Sequence, residues 1–334
     1  MNKKFISAFI LLILVMVAGF TWWQVSLRAT KPAGEPFRIT MALYPGYYHS
    51  YIAQEQGFFR NEGVNVELTL REEVPASLQA FVDGKADAAF GLQSDAILLA
   101  SQGVPVKIVY ICDFSNGADV VISKPNIRTV GDLSGKKVSV DKLNSFNHVF
   151  LVELLRLSGI AEEDVNVVPV VGSEVPAALR DGRIDAGQTW EPYKSKALAQ
   201  GYRLLATSAD APGIITDVLM VKTKILEQRE QDVRGVVKSL LKGLAFRRTN
   251  ESLSYAIMSE ATGVPPGALR DSIHEGNIFP DLEENKQAFI NSPQPTSLYT
   301  SGKVISDFFL KHGVINTPIN LDDIHAPQIV NRLN

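Results

Sequence analysis

One cysteine, Cys112, is all that the 334 residues contain, so no intrachain disulfide can form. It lies in the apolar stretch Val109-Tyr110-Ile111-Cys112 and reads as a small buried hydrophobe. The sequence also has no Gly-x-Ser-x-Gly elbow, no Gly-x-x-x-x-Gly-Lys phosphate loop and no paired metal motif. Its five histidines (His49, His148, His274, His312 and His325) are isolated from one another and from Cys112, and read as surface or internally satisfied side chains. His49 and His148 keep a residual claim, because both fall at turns that face a candidate cleft. With no acid–base or nucleophile set, the chain reads as a binding protein, not an enzyme, with no cofactor and no metal.

Acidic residues are absent from the first 31 positions, which hold four basic ones: Lys3, Lys4, Arg28 and Lys31. The remainder carries 29 basic against 36 acidic residues, a net of −7. A mildly acidic body without a basic stripe excludes nucleic-acid binding. No low-complexity run occurs, and 46% hydrophobic with 21% charged residues is a globular composition long enough for two modest domains.

Lys3-Lys4 precede an apolar run closed by Trp22-Trp23, and the 19 residues of 5–23 come close to the ~20 that a membrane-spanning helix needs. Val17-Ala18-Gly19-Phe20 follows the pattern of a lipid-attachment site with Phe20 in place of the cysteine. Cleavage after Ala29 fits poorly, with Leu27 where a small residue belongs. The expectation is an uncleaved single-span anchor and linker over 1–31, with Lys3-Lys4 inside the cell.

Strand and helix signals then alternate. In the first half, strands at 37–43, 64–70, 86–90 and 106–112 frame helical stretches at 47–59, 75–82 and 95–101. The second half repeats the scheme, and at one point the sequences correspond. Glu73-Val74-Pro75-Ala76 leads to Gly84-Lys85-Ala86-Asp87-Ala88, and Glu174-Val175-Pro176-Ala177 leads to Gly182-Arg183-Ile184-Asp185-Ala186. Proline suits a first helical turn, where its missing N–H would be unpaired anyway. Glycine ends the helix in the left-handed conformation. The order predicts two related α/β lobes, each a mostly parallel sheet flanked by helices, followed after about residue 216 by a largely helical return to the first lobe.

Ligands in open α/β sheets lie beyond the carboxyl ends of the strands. Three turns qualify: Tyr44-Pro45-Gly46-Tyr47-Tyr48, Gly91-Leu92-Gln93-Ser94-Asp95 and Leu143-Asn144-Ser145-Phe146-Asn147. The tyrosines of the first also fit core positions. Asp113-Phe114-Ser115-Asn116-Gly117-Ala118-Asp119 lies where the chain leaves the first lobe, and Trp190-Glu191 ends a strand of the second. Trp190 could close over a ligand while Glu191 takes a donor. Equally, Trp190 could pack under its own lobe with Glu191 as a helix cap.

Several motifs together carry a family resemblance: Ala53-x-x-x-Gly57-Phe58-Phe59-x-x-Glu62-Gly63, Gly84-x-x-Asp87, Ser115-Asn116-Gly117-Ala118-Asp119, Val130-x-Asp132-Leu133-x-Gly135-Lys136-Lys137-Val138 and Trp190-Glu191-Pro192. The chain resembles the nitrate/sulfonate/taurine-type periplasmic binding proteins, a group that includes the thiamine-precursor-like binding proteins. The resemblance implies a type II, two-lobed binding-protein fold: a first lobe of 37–121 with 216–334 and a second of 122–215. It implies backbone crossings near 120–123 and 208–217, and closure of a hinge on a small solute. Delivery would be to an ABC permease driven by an ATPase, from the outer face of the cytoplasmic membrane, by a monomer. The expected solute is a small organic anion or zwitterion such as a sulfonate or taurine. The rival readings are a pyrimidine-type vitamin precursor, a cofactor-pathway enzyme on the same fold, or an anchored ligand sensor. The candidate ligand-binding set is Tyr44, Tyr47, Tyr48, Gln93, Ser94, Asn116, Asp119, Asn144, Ser145, Phe146, Trp190, Glu191 and Asp217.

Overall fold

A computed structural model describes residues 34–274 and 276–334. The anchor and the linker assigned to 1–31 lie outside the described residues. Among the described residues no helix is long and apolar enough to cross a membrane.

Two sheets organise the chain. The strands are β1 (Phe37–Ala42), β2 (Val66–Arg71), β3 (Ala88–Leu92), β4 (Val106–Ser115), β5 (Val120–Ser123), β6 (Lys137–Val140), β7 (Asn166–Pro169), β8 (Ala186–Thr189), β9 (Arg203–Thr207), β10 (Thr216–Lys222) and β11 (Asn277–Ile278). One sheet has the order β11-β4-β10-β3-β1-β2 and the other β7-β6-β8-β5-β9. In each, a central strand (β1 or β6) pairs in parallel with the two that follow it. Each also takes in an antiparallel strand at the same place in the order, β10 in the first and β5 in the second, and the first adds the short antiparallel edge strand β11. Val120 and Val121, which the sequence reading assigned to the first lobe, pair within the second sheet as part of β5.

The repeated motif has a physical explanation. The helices Val74–Val82 and Val175–Arg180 both carry their proline in the first turn, and Gly84 and Gly182 follow them at φ 78° and 69°. The aspartate of each copy then does the same work. Asp87 Oδ2 accepts from the Arg38 N–H at 2.9 Å, and Asp185 Oδ2 accepts from the Lys137 N–H at 3.0 Å. Each therefore satisfies an N–H at the start of its central strand. A basic side chain closes each carboxylate, Arg38 on Asp87 and Lys124 on Asp185, at 2.8 and 2.7 Å.

The return after β10 covers the first sheet. The 20-residue helix Glu230–Thr249 packs on His49–Glu55, where the Gly243 position allows close approach. A Cβ there would lie 2.5 Å from the His49 carbonyl oxygen. The helix Leu298–Lys311 lies on Gln93–Ser101 and reaches Phe146–Leu157 beside the second sheet, touching both halves. Cys112 is fully buried with a free thiol, which burial pushes well above its usual pKa.

Gly243→Ala sets a helix-propensity gain of ~1 kcal/mol against overpacking of ~1–3 kcal/mol. The obstacle is main chain, so overpacking wins, and the urea midpoint should fall. Gly267→Ala, in the Pro266–His274 helix, is the control, since its added Cβ meets nothing within 4 Å. It should hold or raise the midpoint.

Candidate functional site

At the carboxyl ends of β1, β3 and β4 the chain gathers a group of acids. Asp113 on β4 and Asp217 on β10 are register partners across an antiparallel pair, and both are buried. Antiparallel entry of β10 causes this, because it faces the start of β10 to the end of β4. Tyr44 and Tyr47 come from the turn after β1. The Tyr44 hydroxyl donates to Asp113 Oδ1 at 2.9 Å, and that of Tyr47 donates to Asp217 Oδ1. Tyr47 stacks on Phe90 at 4.9 Å and meets the Tyr44 ring edge at 5.0 Å. Only glycine fits at 46, where a Cβ would stand 2.2 Å from Asp113 Oδ2.

Asp119 continues the group into the first crossing between sheets. Its Oδ2 accepts from the Ser115 hydroxyl at 2.8 Å, and the Gly117 N–H donates to Ser208 Oγ in the second crossing at 2.6 Å. Ser115 and Ser208 hydroxyls are themselves 2.8 Å apart, so the two crossings are bonded together. Asp113 Oδ2 is buried here without a partner, and the buried side-chain amide of Gln188 on β8 stands beside Asp119 and lowers its carboxyl pKa.

Burial sets the electrostatics. It pushes the Asp113 carboxyl up to about 7 and those of Asp119 and Asp95 up to about 6. Asp217 is raised well above the carboxylate range, by burial first and then by the neighbouring Asp113. Burial, reinforced by the same aspartates, keeps the Tyr44 and Tyr47 phenols protonated. Neutral phenol O–H donors therefore stand against carboxyls whose protons are held by burial.

Of the residues singled out in the sequence, Tyr44, Tyr47, Asp119 and Asp217 meet here. Others are engaged elsewhere. Gln93 is buried and held on both ends of its amide by the Leu298–Lys311 helix, donating to the Leu298 carbonyl at 2.6 Å and accepting from Ser301 at 2.8 Å. Ser94 is buried in the first turn of its helix, and Tyr48 is a core side chain beside Tyr51. Asn116 is exposed. Glu191 caps its own helix, accepting from Ser195 and pairing with Lys194 at 2.8 Å.

Asn144, Ser145 and Phe146 stand at the carboxyl end of β6 in the second half. Asn144 is exposed at φ 59°, Ser145 is the N-cap of the Phe146–Leu157 helix, and Phe146 packs partly into the core. Trp190 lies half-buried on Gly172, where a Cβ would sit 2.3 Å from the ring. Since Val120 pairs with Thr189, the register carries Trp190 towards Asp119.

Asp113, Ser115, Ser208 and Gln188 were missing from the sequence-derived set. A carboxylate inside the otherwise apolar strand 106–114 was the available signal for Asp113. The histidines also need correcting: His148 and His312 are not isolated, since their ring centroids lie 5.2 Å apart.

Comparison with known proteins follows from this geometry. The family profile described as NMT1/THI5 like matches residues 45–250. A protein of Escherichia coli named for aliphatic-sulfonate binding is 28% identical over 196 residues, 57% of this chain and 60% of that one. The chain thus spans about three fifths of that relative's length. The taurine-binding periplasmic protein of Escherichia coli is 24% identical over 253 residues, covering 72% of this chain and 78% of its own. The crystal structure of the periplasmic aliphatic sulphonate binding protein of Escherichia coli superimposes with a TM-score of 0.71 at 20% identity, covering 90% of this chain and all of that one. That likeness establishes the periplasmic-binding-protein-like fold.

The buried carboxyls hold their protons more tightly folded than unfolded. Their stabilising contribution is therefore complete below about pH 4 and is lost as pH rises through about 6 to 7. The ligand-free protein should melt several degrees lower at pH 8 than at pH 5. Asp113→Asn should flatten that slope in calorimetry, and an unchanged slope would remove Asp113 from the group.

Proposed function

The chain belongs to the NMT1/THI5-like family, and from that premise we propose that it is the extracytoplasmic solute-binding component of an ABC importer. In this reading the two sheets are two lobes, 37–119 with 216–334 and 120–215, that close on a small zwitterion of the aminosulfonate type. The relatives named for sulfonate and taurine binding support the solute class.

The observation that carries the reading is the acid group at the inter-sheet crossings, with a partnerless, fully buried Asp113 Oδ2. Buried like-charged carboxyls are costly without a counter-charge. An ammonium group supplies that charge and the missing hydrogen-bond donors at once. On the opposing lobe, the N-terminus of the Phe146–Leu157 helix with Asn144 and Ser145 offers N–H and polar groups to a sulfonate. Trp190 supplies an apolar wall between them. A solute that touches both lobes favours the closed form by its affinity difference between the two forms. Micromolar affinity, roughly −8 kcal/mol, is within reach of a few charge-assisted bonds.

Transport is then a matter of handing the solute to a permease driven by a cytoplasmic ATPase, with the protein acting as a monomer held by its 1–31 segment. Nothing in this mechanism requires bond making or breaking.

Calorimetry should rank a short aminosulfonate at least tenfold above the alkanesulfonate of equal length. Asp113→Asn or Asp217→Asn should cost the aminosulfonate at least tenfold, or ~1.4 kcal/mol, and the alkanesulfonate much less. Equal losses for both would sink the ammonium assignment, and no binding of either would sink the solute class. Aminosulfonate affinity should also rise from pH 5 to pH 8, as the carboxyls about pH 6 to 7 ionise. An affinity that falls over this range would contradict the assignment.

A further inference from the structure

Away from the acid group, three side chains from distant parts of the chain converge between the two halves. His148 is in the first turn of the Phe146–Leu157 helix, Glu162 opens the short turn Glu162–Asp164, and His312 is the C-cap of Leu298–Lys311. Glu162 Oε1 lies 3.2 Å from His148 Nε2 and 2.6 Å from His312 Nε2. One ligand atom from each residue falls within 4.8 Å of the other two. Donors about 3.3 Å apart surround a tetrahedral ion with bonds of ~2.0–2.1 Å, so small side-chain rotations complete the geometry.

The surroundings orient the rings. His312 Nδ1 donates to the Phe308 carbonyl at 2.8 Å, the outer hydrogen bond typical of a metal-ligating imidazole, which leaves Nε2 turned to the cluster. Phe308 stacks on His312 at 4.0 Å and meets His148 edge-on at 5.0 Å. His148 Nε2 is buried and, although 3.2 Å from Glu162, too poorly aligned to hydrogen-bond with it. Lys311 takes the other carboxylate oxygen of Glu162 at 3.1 Å and fixes its plane. Metal binding through His148 Nε2 needs the proton on Nδ1, and the 3.3 Å contact from the Asn144 N–H is the bond given up. The three side chains are only 5%, 14% and 17% exposed, yet they line an open pocket of about 440 Å³ that admits an ion and a water ligand.

We propose that His148, Glu162 and His312 form a three-ligand site for a divalent transition-metal ion, with zinc as the type, that clasps the Leu298–Lys311 helix to the second half of the molecule. Two imidazoles and one carboxylate suit zinc, cobalt or nickel and disfavour calcium and magnesium, which prefer all-oxygen shells. The site shares the start of the Phe146–Leu157 helix with the sulfonate end of the solute reading but uses none of the residues named there as ligands, so a zinc titration without solute tests it on its own.

The test uses the untagged full chain, stripped with chelator and free of solute. Titration with zinc chloride should show one saturable equivalent, and cobalt in its place should give the visible absorption of four-coordinate Co²⁺. His148→Gln and His312→Gln should each weaken zinc binding at least tenfold. X-ray absorption on the wild type with one zinc equivalent needs no variant and should show two imidazoles in the first shell. No saturable equivalent, fewer than two imidazoles, or unchanged binding in folded His148→Gln and His312→Gln proteins would each overturn the proposal.

Discussion

Strand exchange between the sheets is the constraint on which the rest depends. Because β10 enters the first sheet antiparallel between β3 and β4, its first residues meet the last residues of β4, and Asp217 is forced opposite Asp113. Because β5 enters the second sheet in the matching place, Asp119 just before it is held near the ends of β8 and β9. Two crossings result, laced together by Ser115, Ser208 and Gly117. The candidate site and the mechanical joint are therefore one piece of backbone.

Like charges directly opposite in a ladder are destabilising, and burial multiplies the penalty. The first sheet has apolar side chains on every side in which to bury leucine or valine instead, as β10 itself does at Val218 and Leu219. Retaining aspartates there makes the folded state rely on protons or a cation, and the buried Arg247 guanidinium, which acts on Asp113, supplies only part of that charge. Tyr44 and Tyr47 relieve the penalty only partly, each donating one hydrogen bond and remaining neutral.

Much of the architecture was legible in the sequence because it repeats. The Glu-Val-Pro-Ala and Gly-x-x-Asp pieces encode a helix start and a helix stop, which are local acts, and a carboxylate for an N–H at the start of the central strand. Tyr47 in the turn after the first strand and Asp217 at the second crossing were legible, and both stand at those positions. Gln93 and Glu191 were not, because a polar residue at a turn looks the same whether it faces a solute or a neighbouring helix. What decides is Leu298 in one case and Ser195 in the other. Pairings such as His148 with His312 depend on where the C-terminal return lands, and no local pattern records that.

Gly172 shows how finely such a molecule could be retuned. The indole of Trp190 rests on it with no room for even a methyl group. An alanine at that position would tip the ring away from its own sheet and narrow the space in front of it. A single hydrogen atom thus sets how close the indole lies to its own sheet, and a residue buried beneath a ring can reposition it without altering the ring itself.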